Sequence, residues 1–136
     1  ELGFVLWSSL GLNPYGNSFI VNGNYLKTHR SVVAAFVEVT QRAYAACVKE
    51  SGPCIDALMK GASGLDRSQM VDQWKRVTEL MTDKFTTTVA LGYLDPGRVA
   101  ETYKLINTYF KIEKAFDPAE SFTDDFLSKD IKMKAP

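Results

Sequence analysis

The stretch that decides the fold runs from Ser18 to Phe36 and reads SFIVNGNYLKTHRSVVAAF. Its first part, Ser18–Asn22, has aromatic and β-branched residues between polar ends, which is typical of a short strand. Asn22-Gly23-Asn24 then ends that strand. A short turn of helix follows, and a long amphipathic helix begins just after His29. The order predicts a strand, a polar turn and a long helix.

Upstream of this stretch, residues 4–7 (FVLW) form a short apolar run that predicts a buried strand. The ten residues that follow, SSLGLNPYGN, are dense in turn-forming types. We therefore expect two short strands within residues 1–22.

Downstream, the pattern is helical almost to the end and predicts four helices. The first spans about Arg30 to Lys49, and the second is short, from Pro53 to Gly61. The third begins at Asp66, whose carboxylate caps it while Gln69 reaches back as in a capping box. The fourth begins at Asp95-Pro96, a cap followed by a first-turn proline. Residues 85–91 are expected to be a loop with an extended piece, and the Lys-rich tail 128–136 is expected to fray.

Apolar residues at three- and four-residue steps predict which helix faces are buried. The first helix carries such a stripe at Val32, Phe36, Val39, Ala43 and Cys47. The fourth carries one at Val99, Tyr103, Ile106 and Phe110. We expect both stripes to face the interior. The predicted fold class is α/β and mostly helical, with two short strands followed by about four helices.

Length and charge exclude several classes of protein. The 136 residues are 46% hydrophobic, enough to supply a core, and 16 basic residues balance 16 acidic ones. A protein that binds nucleic acid through phosphates needs a basic surface, so we expect no nucleic-acid partner. No apolar run approaches the roughly 20 residues that a membrane-spanning helix needs.

The chain has two cysteines, Cys47 and Cys54, on either side of the predicted break between the first and second helices. A disulfide across this elbow is sterically feasible, and an exported protein would permit it. Two reduced, buried cysteines are the other reading. With one histidine in the chain and no further cysteine, zinc ligation is not expected.

The motifs of catalysis and cofactor binding are missing from the sequence. His29 is the only histidine, and it lies at a helix entrance, where an exposed capping role is the simpler explanation. No G-x-S-x-G elbow or phosphate-binding loop is present. We therefore expect no enzyme activity, no catalytic residue, no metal and no cofactor.

One cluster near the predicted strands has the composition of a ligand site. Aromatic rings can sandwich a flat ligand, and asparagine amides can both donate and accept hydrogen bonds. The candidate ligand-binding residues are Trp7, Asn13, Tyr15, Gly16 and Asn17. The alternative is that Trp7 and Tyr15 pack in the core and that Asn13-Pro14 is only a turn.

The order of these segments resembles a known family. A strand at Phe19–Asn22, a short helix at Tyr25–Lys27 and the helix start His29-Arg30-Ser31 are similar to the C-terminal part of periplasmic solute-binding proteins. Those proteins deliver sulfonates, taurine, nitrate or thiamine-pyrimidine precursors to ABC importers. Arg30 stands where the family usually has proline. Further along, Gly92-Tyr93-Leu94-Asp95 and the run FTDDFL at 122–127 resemble the family's late helix and closing segment.

The resemblance implies that the chain is the C-terminal portion of a two-lobed binding protein. Residues 1–22 would lie near its hinge and cleft, 30–127 would form a helical layer, and 128–136 would be a tail. The five candidate residues, together with Ser8, would approach the cleft or the hinge, where the protein would bind a small organic or anionic ligand. The protein would be periplasmic or at the cell surface, would deliver its ligand to an ABC permease, and would have its export signal outside this chain.

Two other functions remain open. One is an enzyme of the same fold that resembles the thiamine-pyrimidine synthases of fungi, although their cysteine-rich motif does not occur here. The other is a helical sensor or interaction domain, which an exposed apolar groove along the fourth helix would favour. If the strands lack their neighbours, we also expect the chain to self-associate through them.

Overall fold

The structure is a computed structural model that describes residue 3 and residues 5–134. Six α-helices follow one another in the described part, and short 3-10 helices lie at Trp7–Leu10 and Pro118–Ser121. The α-helices are α1 (Gly23–Thr28), α2 (Arg30–Lys49), α3 (Ser51–Gly61), α4 (Arg67–Met81), α5 (Lys84–Thr88) and α6 (Pro96–Phe110).

The expected α/β class is wrong, because the described residues contain helices and turns and no strand. Ser18–Asn22 lies outside any helix and pairs with no strand, and the side chain of Ile20 is 96% exposed. The other expected strand contains Trp7, which begins a 3-10 helix, and Phe4, which lies outside the described residues. A β-prone segment becomes a strand only when another segment pairs with it, and the described chain offers no such neighbour.

The chain divides into two compact units. One combines the described part of the first 22 residues with Leu94–Asp124, and therefore contains α6. The other combines Gly23–Tyr93 with the C-terminal residues from Asp125 onward, and contains α1 to α5. Residues 30–127, which were expected to form a helical layer, are divided between the two units.

The unit that contains α1 to α5 has a small apolar core. Among the described residues, its buried apolar side chains come from α2, α3, the turn after α5 and the C-terminal segment, and they are Val33, Ile55, Ala90, Leu91 and Met133. Burial of such side chains is the main stabilising contribution to a fold. Because the core is small, polar contacts become correspondingly important.

The bounds predicted for α2 match the structure, but its predicted buried face is wrong. Val33 and Gln41 are the buried residues of α2, whereas Val32, Phe36 and Val39 are more than half exposed. Periodicity identifies an apolar stripe on a helix without showing which side of the helix a neighbour covers. α2 carries apolar residues on two sides, and the structure covers the side with Val33.

Gln41 holds two separate segments against α2. Its side chain is buried, and its Nε2 group donates to the carbonyl oxygens of Leu91 at 2.7 Å and Ser128 at 3.3 Å. Its Oε1 accepts from the Ser128 amide at 2.9 Å. Gln41 therefore satisfies three backbone groups with both halves of its amide.

The C-terminal segment does not fray in the part that the structure describes. The Leu91 amide donates to the Ile131 carbonyl at 2.8 Å, and the Met133 amide donates to the Thr86 carbonyl at 2.9 Å. Met133 is buried. The predicted tail is therefore partly packed against the turn that follows α5, although its sequence is rich in lysine.

Local capping explains where α4 and α5 begin. The Asp66 carboxylate accepts from the Gln69 amide at 3.0 Å at the start of α4. Asp83 and Thr86 form a capping box at the start of α5, in a region expected to be a loop. That box satisfies the first amides of a short helix, which is why residues 84–88 are helical.

The unit that contains α6 has an apolar surface. The predicted stripe on α6 is only half covered: Val99 and Tyr103 are partly buried, whereas Phe110 is 79% exposed. The Tyr103 ring packs edge-on against Phe116, with 4.9 Å between centroids. The last two turns of the helix, with Ile106 and Tyr109 also exposed, are therefore uncovered by the described chain.

The Gln41 contacts predict a large loss of stability on substitution. We expect Gln41→Leu to lower the free energy of unfolding by about 2–4 kcal/mol, because buried backbone groups would lose their partners. Urea unfolding measures the change, and Gln73→Leu on the exposed side of α4 is the matched control. Equal losses of unfolding free energy in the two variants would contradict this role of Gln41.

A second prediction concerns the pH dependence of the α4 cap. The hydrogen bond from the Ser68 hydroxyl, followed by that from the Gln69 amide, holds the pKa of Asp66 below its usual 3.8. The folded state therefore favours the carboxylate. Its contribution is complete above the unfolded pKa and is lost as the pH falls through the folded value.

We expect Asp66→Asn to remove this pH-dependent part, since an amide caps without titrating. The difference in unfolding free energy between the wild type and the variant should shrink as the pH falls from about 6 to about 3. A difference that stays constant over this range would contradict the coupling.

Candidate functional site

All five predicted ligand-binding residues lie in the unit that contains α6. Trp7 begins a 3-10 helix, its indole is exposed, and its carbonyl accepts from the Leu12 amide at 3.0 Å. Asn13, Gly16 and Asn17 are exposed, and Tyr15 is half-buried. The alternative explanation required both aromatic rings to be enclosed in a core, and neither of them is.

Arg98 binds the loop formed by residues 13–17. Its Nε donates to the Asn13 carbonyl at 2.6 Å, and its Nη2 donates to Asn13 Oδ1 at 2.9 Å and to the Pro14 carbonyl at 3.0 Å. A planar guanidinium has donors in a fixed fork, which suits several oxygens held close together. These bonds join two segments separated by 85 residues in the sequence.

Tyr15 has two further contacts with the same part of the chain. The Arg98 guanidinium carbon lies 4.0 Å from the centre of the Tyr15 ring, within the range of a cation–π interaction. The backbone amide of Asp95 donates to the Tyr15 hydroxyl oxygen at 2.7 Å. The ring and the hydroxyl of Tyr15 are both fixed by these contacts.

The start of α6 places Arg98 for these contacts. The Asp95 carboxylate caps the helix by accepting from the Gly97 amide at 3.2 Å, and Pro96 occupies the first turn. Arg98 follows in the same turn. The Asp95-Pro96 helix start was predicted, but the role of Arg98 was not, because no local pattern connects it to residues 13–17.

We call the group formed by Asn13, Pro14, Tyr15, Asp95 and Arg98 the Arg98 cluster. Among the described residues, no hydrogen bond or ring contact joins Trp7 to it. The cluster fixes Asn13 and Tyr15, and it places Gly16 and Asn17 directly after a fixed segment. This arrangement suits hydrogen bonding to a small molecule. Within the Arg98 cluster, no nucleophile lies beside a general base.

The described residues include no cluster of three or more His, Cys, Asp or Glu side chains arranged to hold a metal ion. His29 is the N-cap residue of α2, without a side-chain capping bond. Its ring stacks on Tyr25 with 4.2 Å between centroids, and its Nδ1 lies 2.8 Å from the Thr28 hydroxyl. These contacts are local to α1 and the start of α2.

Cys47 and Cys54 form a disulfide in the structure, with 5.8 Å between their Cα atoms. It links the end of α2 to the start of α3, where Glu50 is the single residue between the helices. The Trp74 indole donates to the Cys47 carbonyl at 3.1 Å and so connects α4 to the same elbow. Of the two states expected for these cysteines, disulfide-bonded or reduced, the structure has the disulfide.

No protein-family model, curated protein or solved structure matches the chain. Within the described part, no helix combines the length and apolar character that crossing a bilayer requires.

The disulfide predicts a loss of stability on reduction. A cross-link between residues seven apart stabilises a fold by about 2.5 kcal/mol in the chain-entropy model. We expect a reductant to lower the free energy of unfolding by about this amount. The cysteine-free variant, Cys47→Ala with Cys54→Ala, should be insensitive to the reductant. An equal response of both proteins would show that the reductant acts elsewhere.

Proposed function

We propose that the chain belongs to an extracytoplasmic solute-binding component of an ABC importer, which captures a small organic or anionic ligand and carries out no chemistry. The Arg98 cluster is the observation that carries this proposal. It holds in place the loop that the family resemblance assigns to the ligand. A preorganised loop binds more tightly, because less ordering is needed when the ligand arrives.

The disulfide supports the proposed location. Disulfides persist in oxidising compartments such as the periplasm and the cell surface, and are rare in the cytosol. The Cys47–Cys54 bond is therefore consistent with an exported protein. An ABC permease is the partner that the proposed function requires.

The described residues provide helices and one anchored loop, so the proposal does not depend on a sheet within them. It rests on the order of the sequence segments, the Arg98 cluster and the disulfide.

A helical interaction domain is the second candidate, and the uncovered end of α6 favours it. Tyr109 is 74% exposed beside the even more exposed Phe110. An amphipathic helix with a bare apolar side is a common way to bind a protein groove or another helix. This function would involve α6 and would not require the loop at residues 13–17 to meet a ligand.

Ligand binding is the direct test. The protein as isolated from its host is titrated calorimetrically with taurine, nitrate and an aminopyrimidine, and its unfolding is followed with each. We expect one probe to bind and, at about 100 times its Kd, to stabilise the fold by about 2.7 kcal/mol. Asn17→Ala should weaken that binding by about three- to tenfold through a lost hydrogen bond.

Asn107→Ala is the matched control, because Asn107 is an exposed asparagine of α6 in the same unit. It should bind the probe as the wild type does. If the two variants change the binding affinity equally, the loop at residues 13–17 is not part of the ligand site. The interaction domain would be the correct function if the wild type binds none of the three probes but forms a complex with another protein. In that case Phe110→Asp should break the complex.

A further inference from the structure

Arg98 determines which hydrogen-bonding groups of Asn13 remain for another molecule. A guanidinium has donors and no acceptor, so every atom that it binds through hydrogen bonds is an acceptor. The side-chain oxygen of Asn13 lies 2.9 Å from Arg98 Nη2 and therefore points toward the guanidinium. The NH2 group of the same exposed amide points away from Arg98 and retains two donors.

In the hydroxyl group of Tyr15, likewise, the acceptor is occupied and the donor is left for another molecule. The Asp95 amide can only donate, so at 2.7 Å the Tyr15 oxygen is the acceptor. The phenolic O–H is then left to donate to another acceptor. The Arg98 guanidinium over the ring helps to hold the ring, and with it the hydroxyl, in place.

We infer that Arg98 is a positioning residue that, together with the Asp95 amide, occupies acceptors of Asn13, Pro14 and Tyr15 and leaves the side-chain donors of Asn13 and Tyr15 for the ligand. The ligand group received by Asn13 and Tyr15 is then a hydrogen-bond acceptor, such as a carboxylate, sulfonate, nitrate or carbonyl oxygen. The second statement rests on the proposed function, because it requires that the loop meets a ligand. The positioning role of Arg98 stands without it.

The contact geometry requires arginine in particular. Two nitrogens of one planar group bind three oxygens, while the carbon of the same group lies 4.0 Å from the centre of the Tyr15 ring. A lysine ammonium is a compact charge on a flexible stem and cannot reproduce a planar fork. Arg98→Lys therefore keeps the charge and removes the arrangement.

The first experiment measures loop order without a ligand. Hydrogen exchange is followed at the backbone amide of Asp95, which donates to the Tyr15 hydroxyl oxygen at 2.7 Å and is protected while the loop is held in place. We expect Arg98→Ala and Arg98→Lys to speed exchange there by about tenfold or more, since several charge-assisted bonds are lost. Arg76→Ala, which breaks an exposed ion pair with Glu79 on α4, is the matched control and should leave the exchange of the Asp95 amide unchanged.

The second experiment inverts the polarity of one group. Asn13→Asp keeps an oxygen for Arg98 and replaces the NH2 group by a second oxygen. We expect exchange of the Asp95 amide to stay within about twofold of the wild type, while binding of taurine or nitrate weakens by about tenfold or more. Asn107→Asp adds the same charge to α6 and should bind these probes nearly as the wild type does.

Each outcome bears on a different part of the inference. Unchanged exchange in Arg98→Ala would overturn the positioning role. Equal binding of taurine or nitrate by Asn13→Asp and the wild type would overturn the donor assignment. If the wild type binds neither of these probes, the acceptor assignment fails. If it also ignores the aminopyrimidine, the proposed function fails with it, while the exchange result still decides the role of Arg98.

Discussion

The shortage of buried apolar side chains is the constraint on which the rest of this structure depends. The buried apolar residues in the described chain all belong to the unit with α1 to α5, and Ala90 is one of them. A core of this size contributes little free energy against the entropy of ordering the backbone. Specific polar contacts must then hold segments that an apolar core would otherwise organise.

Gln41 and Arg98 have this role in their respective units. Each is a long side chain on a helix, and each binds backbone oxygens of segments remote in the sequence. Such contacts are directional, so they set the orientation of a segment as well as its position. In the unit with α6, that orientation decides which groups of the loop at residues 13–17 face the ligand in the proposed function.

Local interactions made part of this structure predictable from the sequence. The bounds of α2, the cap at Asp66 and the Asp95-Pro96 start of α6 depend on residues close together in the chain. The strand expected at Ser18–Asn22 failed, because pairing requires a second segment that its own sequence does not specify. The predicted buried face of α2 and the second half of the α6 stripe failed for a related reason, since periodicity does not identify the covering neighbour.

The candidate site was predictable in composition but not in arrangement. Asn13 and Tyr15 were recognisable as groups suited to a small ligand. Their contacts with Asp95 and Arg98 cross 80 and more residues, and no local spacing indicates them. The donor and acceptor assignment of the loop follows only from those contacts, so it required the structure.

The central claim is that this protein holds a small molecule without transforming it. Native mass spectrometry of the protein as isolated from its host tests that claim most directly. The account predicts an added mass that corresponds to one small, acceptor-bearing molecule and is released on unfolding. A bare protein mass together with a stoichiometric complex with another protein would contradict it.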